Sequence, residues 1–178
     1  MAQEAIRGYA QALFSIAEAE NALETVEDEL FRFARALETE NSLRESLTDP
    51  ALPVERKKAV LGEILGQKAS PHTVSILGFL VEQGKARELA PIVDELVSLA
   101  AERRKAAVAE VRTAIPLEAD HKRRLAEALE KATGKKVELK VVVDPSVVGG
   151  VVARVGDQVI DGSIRKRLEL AKERMSEG

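Results

Sequence analysis

Apolar residues recur at three- and four-residue steps through the first hundred positions, and the period then changes to two. From about Gln3 to Ala19, Ile6, Tyr9, Leu13 and Ile16 repeat with Ala10 and Ala17 on the same face, which predicts a helix buried along one side. A second helix, about Ala22 to Thr39, carries the stripe Leu23, Val26, Leu30, Phe33 and Leu37. Its opening turns hold Glu24, Glu27, Asp28 and Glu29, where the helix dipole is positive. Asn41 suits the cap of a short third helix that must end before Pro50. A fourth begins near Pro53 and runs through Val54, Ala59, Val60, Ile64 and Leu65 to a stop at Gly66. The fifth is framed by Ser70 as cap, Pro71 at the first helical position and Gly84 just past the end. The sixth, about Arg87 to Arg104, follows Leu89, Ile92, Leu96 and Leu99, and Pro91 is tolerated in its opening turn.

Beyond Lys105 the texture is different. Val108 to Ala114 predicts a strand, and a helix of about Glu118 to Thr133 follows on Leu125, Ala128, Leu129 and Ala132, ending at Gly134. Val137, Leu139, Val141 and Val143 alternate with Lys136, Glu138 and Lys140, as in a strand with one buried face. After the turn Asp144-Pro145-Ser146 come two strands, Val151–Val155 and Gln158–Asp161, joined at Gly156-Asp157, where Gly fits the first central position of a type II′ hairpin. That register sets Arg154 opposite Val159 and diagonal to Asp161. Ser163 caps a final basic helix with the stripe Ile164, Leu168, Ala171 and Met175, from which Leu170 projects away. The chain is therefore mainly α: a six-helix bundle over residues 1–105, then a small α/β (α+β) domain over 106–178.

Two helices carry more apolar surface than a bundle core requires. The fifth has Val74, Leu77 and Val81 on one side and Ile76, Phe79 and Leu80 on another, so it is either fully enclosed or keeps a face for a partner. In the first, Phe14 falls within the polar stripe of Arg7, Gln11 and Glu18. The charge follows the same division: residues 1–105 hold 13 Lys and Arg against 18 Asp and Glu, and residues 106–178 hold 14 against 12. An overall charge of −3 thus averages an acidic helical half and a mildly basic mixed one.

Catalytic chemistry is scarce. With no Cys, no Trp and only His72 and His121, there are no disulfides, no thiolate sites and little for a metal centre or a proton relay. The glycines Gly149, Gly150, Gly156 and Gly162 match no phosphate-binding loop, and turns account for Gly156 and Gly162. No active site and no cofactor are expected. The basic clusters Arg56-Lys57-Lys58, Lys122-Arg123-Arg124 and Arg165-Lys166-Arg167 have acidic neighbours and no interleaved aromatics, so solvated faces are expected; a nucleic-acid adaptor is the alternative reading. Met1 to Ala10 lacks the features of a targeting segment, and no apolar run approaches the roughly 18 residues of a membrane span. The chain is expected to stay in the compartment where it is made.

The run from Val143 to Leu168, with Gly149-Gly150 and Asp161-Gly162-Ser163, resembles the C-terminal signature of the δ subunit of bacterial F-type ATP synthases, the family of the mitochondrial oligomycin-sensitivity-conferring protein. Tyr9-Ala10-Gln11-Ala12-Leu13-Phe14 is similar to that family's first-helix motif, and Thr113-Ala114-Ile115-Pro116-Leu117 to its domain-joining motif. Gly8 stands where the family often has Arg, and Glu118 where a Ser cap often follows Pro-Leu. The resemblance implies a non-catalytic stator subunit on the catalytic α/β head, peripheral to the cytoplasmic face of a bacterial plasma membrane. It implies that the α-subunit N-terminal helix lies between the first and fifth helices, with Tyr9, Leu13, Ile76, Phe79 and Leu80 as anchors. It also implies that the second domain holds the C-termini of the b subunits. Gly149, Gly150, Arg165, Lys166 and Arg167 are its expected stalk-binding residues, no nucleic acid is bound, and the membrane is reached only indirectly through b.

Overall fold

The computed structural model describes residues 2–162. The expected cap at Ser163, the stripe from Ile164 to Met175, Leu170 and the basic residues Arg165, Lys166 and Arg167 lie outside the described residues. The chain divides into two compact units between Ala100 and Ala101.

The first unit is built from α1 (Ala2–Ala19), α2 (Leu23–Thr39), α3 (Asn41–Thr48), α4 (Val54–Leu65), α5 (Pro71–Glu82) and most of α6 (Leu89–Arg104). Single 3-10 turns, Gly66–Lys68 and Ala86–Glu88, precede α5 and α6. The core gathers one stripe from each helix, including Leu13, Leu30, Leu61, Leu77, Leu80, Ile92 and Leu96, all almost fully buried. Each such side chain contributes roughly 1.5–3 kcal/mol by leaving water, which makes the shared interior rather than helix propensity the main support of these short helices.

Helix ends follow local chemistry, with two departures from expectation. Ser70 caps α5 as expected: its hydroxyl oxygen accepts from the Thr73 amide at 3.3 Å, and Pro71 takes the first position. Gly84 adopts φ 68° after α5, and the Lys85 amide reaches back to the Leu80 carbonyl at 2.8 Å. Asn41 is not the cap of α3 but its first helical residue; Glu40 holds the extended cap position. The Asn41 side chain instead accepts from Arg44 Nη2 at 2.5 Å, a contact one turn along the helix that competes with capping. Pro53 takes the cap position of α4, one residue before the helix begins.

The second unit takes the last turn of α6, then β1 (Ala107–Thr113), α7 (Ala119–Thr133), β2 (Val137–Val143), β3 (Val151–Val155) and β4 (Gln158–Asp161). The strand order is β2-β1-β3-β4, with β1 parallel to β2 and antiparallel to β3. A parallel pair needs a long crossover, and α7 supplies it. Register sets Ala109 and Val111 against Leu139 and Val141 on one side and against Val155 and Ala153 on the other. With Leu129 and Val137 these form the core, and Leu117 and Leu125 pack against it. Val143 does not join that buried face: it is 48% exposed, because it ends β2, a strand with one neighbour among the described residues.

The β3–β4 turn has the expected form, with Gly156 at φ 57° and Arg154 opposite Val159. At the junction, Lys105 adopts φ 55°. The Lys105 amide donates to Glu102 and the Ala106 amide to Ala101, a Schellman closure of α6 built on Lys rather than Gly. Arg104 Nε and Nη2 donate to both carboxylate oxygens of Glu138 at 2.5 Å, fixing this last turn to β2.

Candidate docking surfaces

On α1 the buried positions are Ala10, Leu13 and Ala17. Tyr9 is half-buried, and Ile16 is 52% exposed. The stripe that predicted Ile16 in the core is wider than the core itself: Ile16 lies about 60° around the helix from Leu13, away from Ala17. On the flank of α1 beside Tyr9 and Ile16 the side chains are small: Ala5, Gly8, Ala12 and Ala19 are all exposed. Phe14 is half-buried on the opposite flank. Lys85 Nζ sits 5.6 Å from the centre of the Tyr9 ring and is held by Glu88 at 3.1 Å, so the segment just after α5 packs its cation on the α1 aromatic.

On α5, Ile76 and Leu80 are buried, whereas Phe79 is 44% exposed. Phe79 lines a cleft of about 330 Å³ between α4 and α5, whose floor includes Leu61, Val74 and Gly78. Lys58 Nζ and a Glu82 carboxylate oxygen, 3.7 Å apart, pair across the same two helices. Of the five anchors expected for a helical partner, Leu13, Ile76 and Leu80 therefore lie in the core, while Tyr9 and Phe79 reach the surface. Ile16, expected on the buried stripe of α1 and not among the anchors, is exposed as well, as are Val54 and Ile64 on α4.

The N-terminus of α5 is tied to α2. The Glu29 carboxylate accepts from the Ser70 amide at 2.9 Å and from the Ser70 hydroxyl at 2.8 Å. Burial pushes the Glu29 carboxyl up, but hydrogen bonds from Thr73 and Ser70, with the nearby Arg32 charge, outweigh it and hold it below the ordinary value of 4.5.

In the second unit, Val143 ends β2 beside Thr113, the end of β1, and Val151 opens β3 against the same Thr113. Ile115 and Val148, within three residues of these positions, are 70% and 47% exposed, so apolar side chains gather at one end of the sheet. Gly149 and Gly150 lie in this loop with φ 60° and 67°, a backbone that side chains rarely adopt. Asp144 organises the turn by accepting from the Ser146 amide at 2.9 Å and hydroxyl at 2.6 Å. Those bonds, with Arg112 nearby, hold its carboxyl below the ordinary 3.8. Glu118 takes the cap position of α7 without a side-chain cap bond. The basic cluster on α7 is partly answered in place: Asp120 lies 3.1 Å from Arg123 and 4.0 Å from Arg124. Among the described residues no three His, Cys, Asp or Glu side chains converge as a metal site.

Residues 6–175 match the family described as ATP synthase delta (OSCP) subunit. The chain belongs to that family. The ATP synthase subunit delta of Desulforudis audaxviator is 38% identical over 169 residues, covering 95% of this chain and 93% of that one. The Streptomyces griseus subunit delta is 44% identical over 154 residues, which span 86% of this chain but 57% of that longer one. In three dimensions the chain is similar to one in the cryo-EM structure of the Toxoplasma gondii mitochondrial ATP synthase hexamer, with TM-score 0.56, 28% identity and 96% of each chain covered. As a delta/OSCP chain it is a non-catalytic subunit of the peripheral stalk, the stator, of the F-type ATP synthase. No described helix of this delta/OSCP chain is long and apolar enough to cross a membrane.

Proposed function

We propose that the first unit holds the amphipathic N-terminal helix of an α subunit on α1 and α5, through Tyr9, Ile16 and Phe79. The observation that carries this reading is the exposure of large apolar side chains on the two helices that the family resemblance assigns to the α contact. A helix laid on such a face gains mainly by removing apolar area from water. Leu13, Ile76 and Leu80 hold α1 and α5 in the bundle and meet the partner only indirectly. The second unit takes the C-termini of b at the sheet end carrying Ile115, Val143, Val148, Gly149 and Gly150. Arg165, Lys166 and Arg167, which lie outside the described residues, are the further b-binding residues of this reading. The subunit sits at the cytoplasmic face of a bacterial plasma membrane, joined to it through b, and takes no nucleic acid.

The test is a titration of an α N-terminal peptide into the full chain, followed by backbone amide shifts. Saturable shifts on α1 near Tyr9 and Ile16 and on α5 near Phe79 are expected, and they should persist at high salt because the contact is apolar. Shifts confined to other helices, or none, overturn the α assignment. For b, pull-down with Val143→Asp and Val148→Asp should fall sharply; unchanged capture removes the sheet end from the stalk contact.

A further inference from the structure

A second cleft, of about 530 Å³, opens in the first unit between the end of α2 with α3 on one side and the start of α6 on the other. Its volume falls in the range of small-molecule sites. Leu37, Ala86 and Ala90 give it an apolar lining, and the exposed Arg44 and Arg87 line it as well. Arg44 donates only to neutral acceptors, the Glu38 carbonyl at 3.3 Å and Asn41 Oδ1 at 2.5 Å. Arg87 has no hydrogen bond or ion pair among the described residues. The one carboxylate of the lining, Glu38, is engaged by Arg35 Nη1 at 3.3 Å, and Arg35 is in turn paired with Asp94. Among the described residues, two guanidinium groups without carboxylate partners thus share an apolar cleft, in a stretch of chain whose net charge is −5.

We propose that this cleft binds a small organic anion, a carboxylate on a compact apolar body. The planar guanidinium fork matches a carboxylate with two parallel hydrogen bonds, and the lining accepts the apolar body that water rejects. An uncharged analogue gains only the second contribution, and a bare inorganic anion only the first. The lining includes none of the residues assigned to the α and b contacts.

Sodium hexanoate, 1-hexanol and inorganic phosphate, each titrated into the full chain at fixed ionic strength, test this through amide shifts. Hexanoate should move Thr48, Ala86 and Ala90 saturably, and bind roughly tenfold more tightly than hexanol or phosphate. Arg87→Gln should weaken hexanoate about fivefold or more with an unchanged circular dichroism spectrum, and Arg87→Lys should recover part of the loss. Equal binding of hexanol, no saturable shift with hexanoate, or full affinity in both Arg87 variants overturns the proposal.

Discussion

Phe79 and Leu80 are sequence neighbours with opposite surroundings, the one 44% exposed and the other fully buried. Leu80→Ala should cost about 2–5 kcal/mol in denaturant unfolding, the usual range for a cavity in a packed core. Phe79→Ser should cost less, about 1–2 kcal/mol for a half-buried side chain, yet weaken the α peptide roughly tenfold in the same buffer. A reversed ranking would place Phe79 in the core and Leu80 in the contact. Glycines give a second comparison. A Cβ added at Gly8 or Gly62 meets nothing within 4 Å, so Ala at either site should raise stability by up to about 1 kcal/mol. Gly8 also lies on the exposed small-residue surface beside Tyr9, so Gly8→Ala alone should weaken the α peptide; equal affinity in both variants would show that no partner backbone approaches there. Residue-level exposure is the part that periodicity reads least well. Ile16 sits on the apolar stripe but past its buried edge, and Glu27, which the dipole argument accounts for, turns inward between Leu23 and Leu30 and is 1% exposed. Both depend on which neighbour arrives from far along the chain, and a local pattern does not carry that.

Elements with their own punctuation were legible. Ser70, Pro71 and Gly84 bound α5 in the sequence as in the structure, since capping and left-handed geometry are satisfied by the residues that sit there. Asn41 was misread because its side chain had two local uses and the contact with Arg44 prevailed. What the sequence did not reveal about α5 is its tether: Glu29 is 41 residues from Ser70. This contact makes a pH prediction. The folded carboxyl is held below 4.5, so its contribution is fully present above the unfolded value and is lost as pH falls through the folded one. Wild-type stability should therefore decline on acidification below about pH 4.5, and Glu29→Gln should show a shallower decline in urea melts. Parallel curves for the two proteins would remove Glu29 from the acid response. Ser70→Ala, which takes away the cap and one Glu29 partner together, should cost about 1–2 kcal/mol.

For the whole molecule, the composition that excluded a catalytic site also agrees with a stator subunit, whose task is to hold partners in place. The family was legible in the glycine-rich segment, the first-helix motif and the domain-joining motif, which together sample both units. The strand order β2-β1-β3-β4 was not, because alternation identifies strands but not their neighbours. In the assembled synthase, Ile16→Ser with Phe79→Ser should lower ATP-driven proton pumping while leaving the hydrolysis rate of the isolated catalytic head unchanged. Intact pumping with both substitutions would show that the head is held by other contacts.

The closure of α6 has a practical consequence for anyone dividing this chain. A fragment ending at Ala100 stops at the contact boundary but cuts the helix before Glu102 and Ala101 can accept their closing hydrogen bonds, so its last turn would fray. A fragment ending at Lys105 completes the helix but leaves the left-handed Lys105 without the Ala106 amide that closes it, and any fragment ending before Glu138 gives up its pairing with Arg104. Ending at Ala106 with Lys105→Gly retains both closing bonds and removes roughly 1 kcal/mol of backbone strain, which makes that position the natural seam.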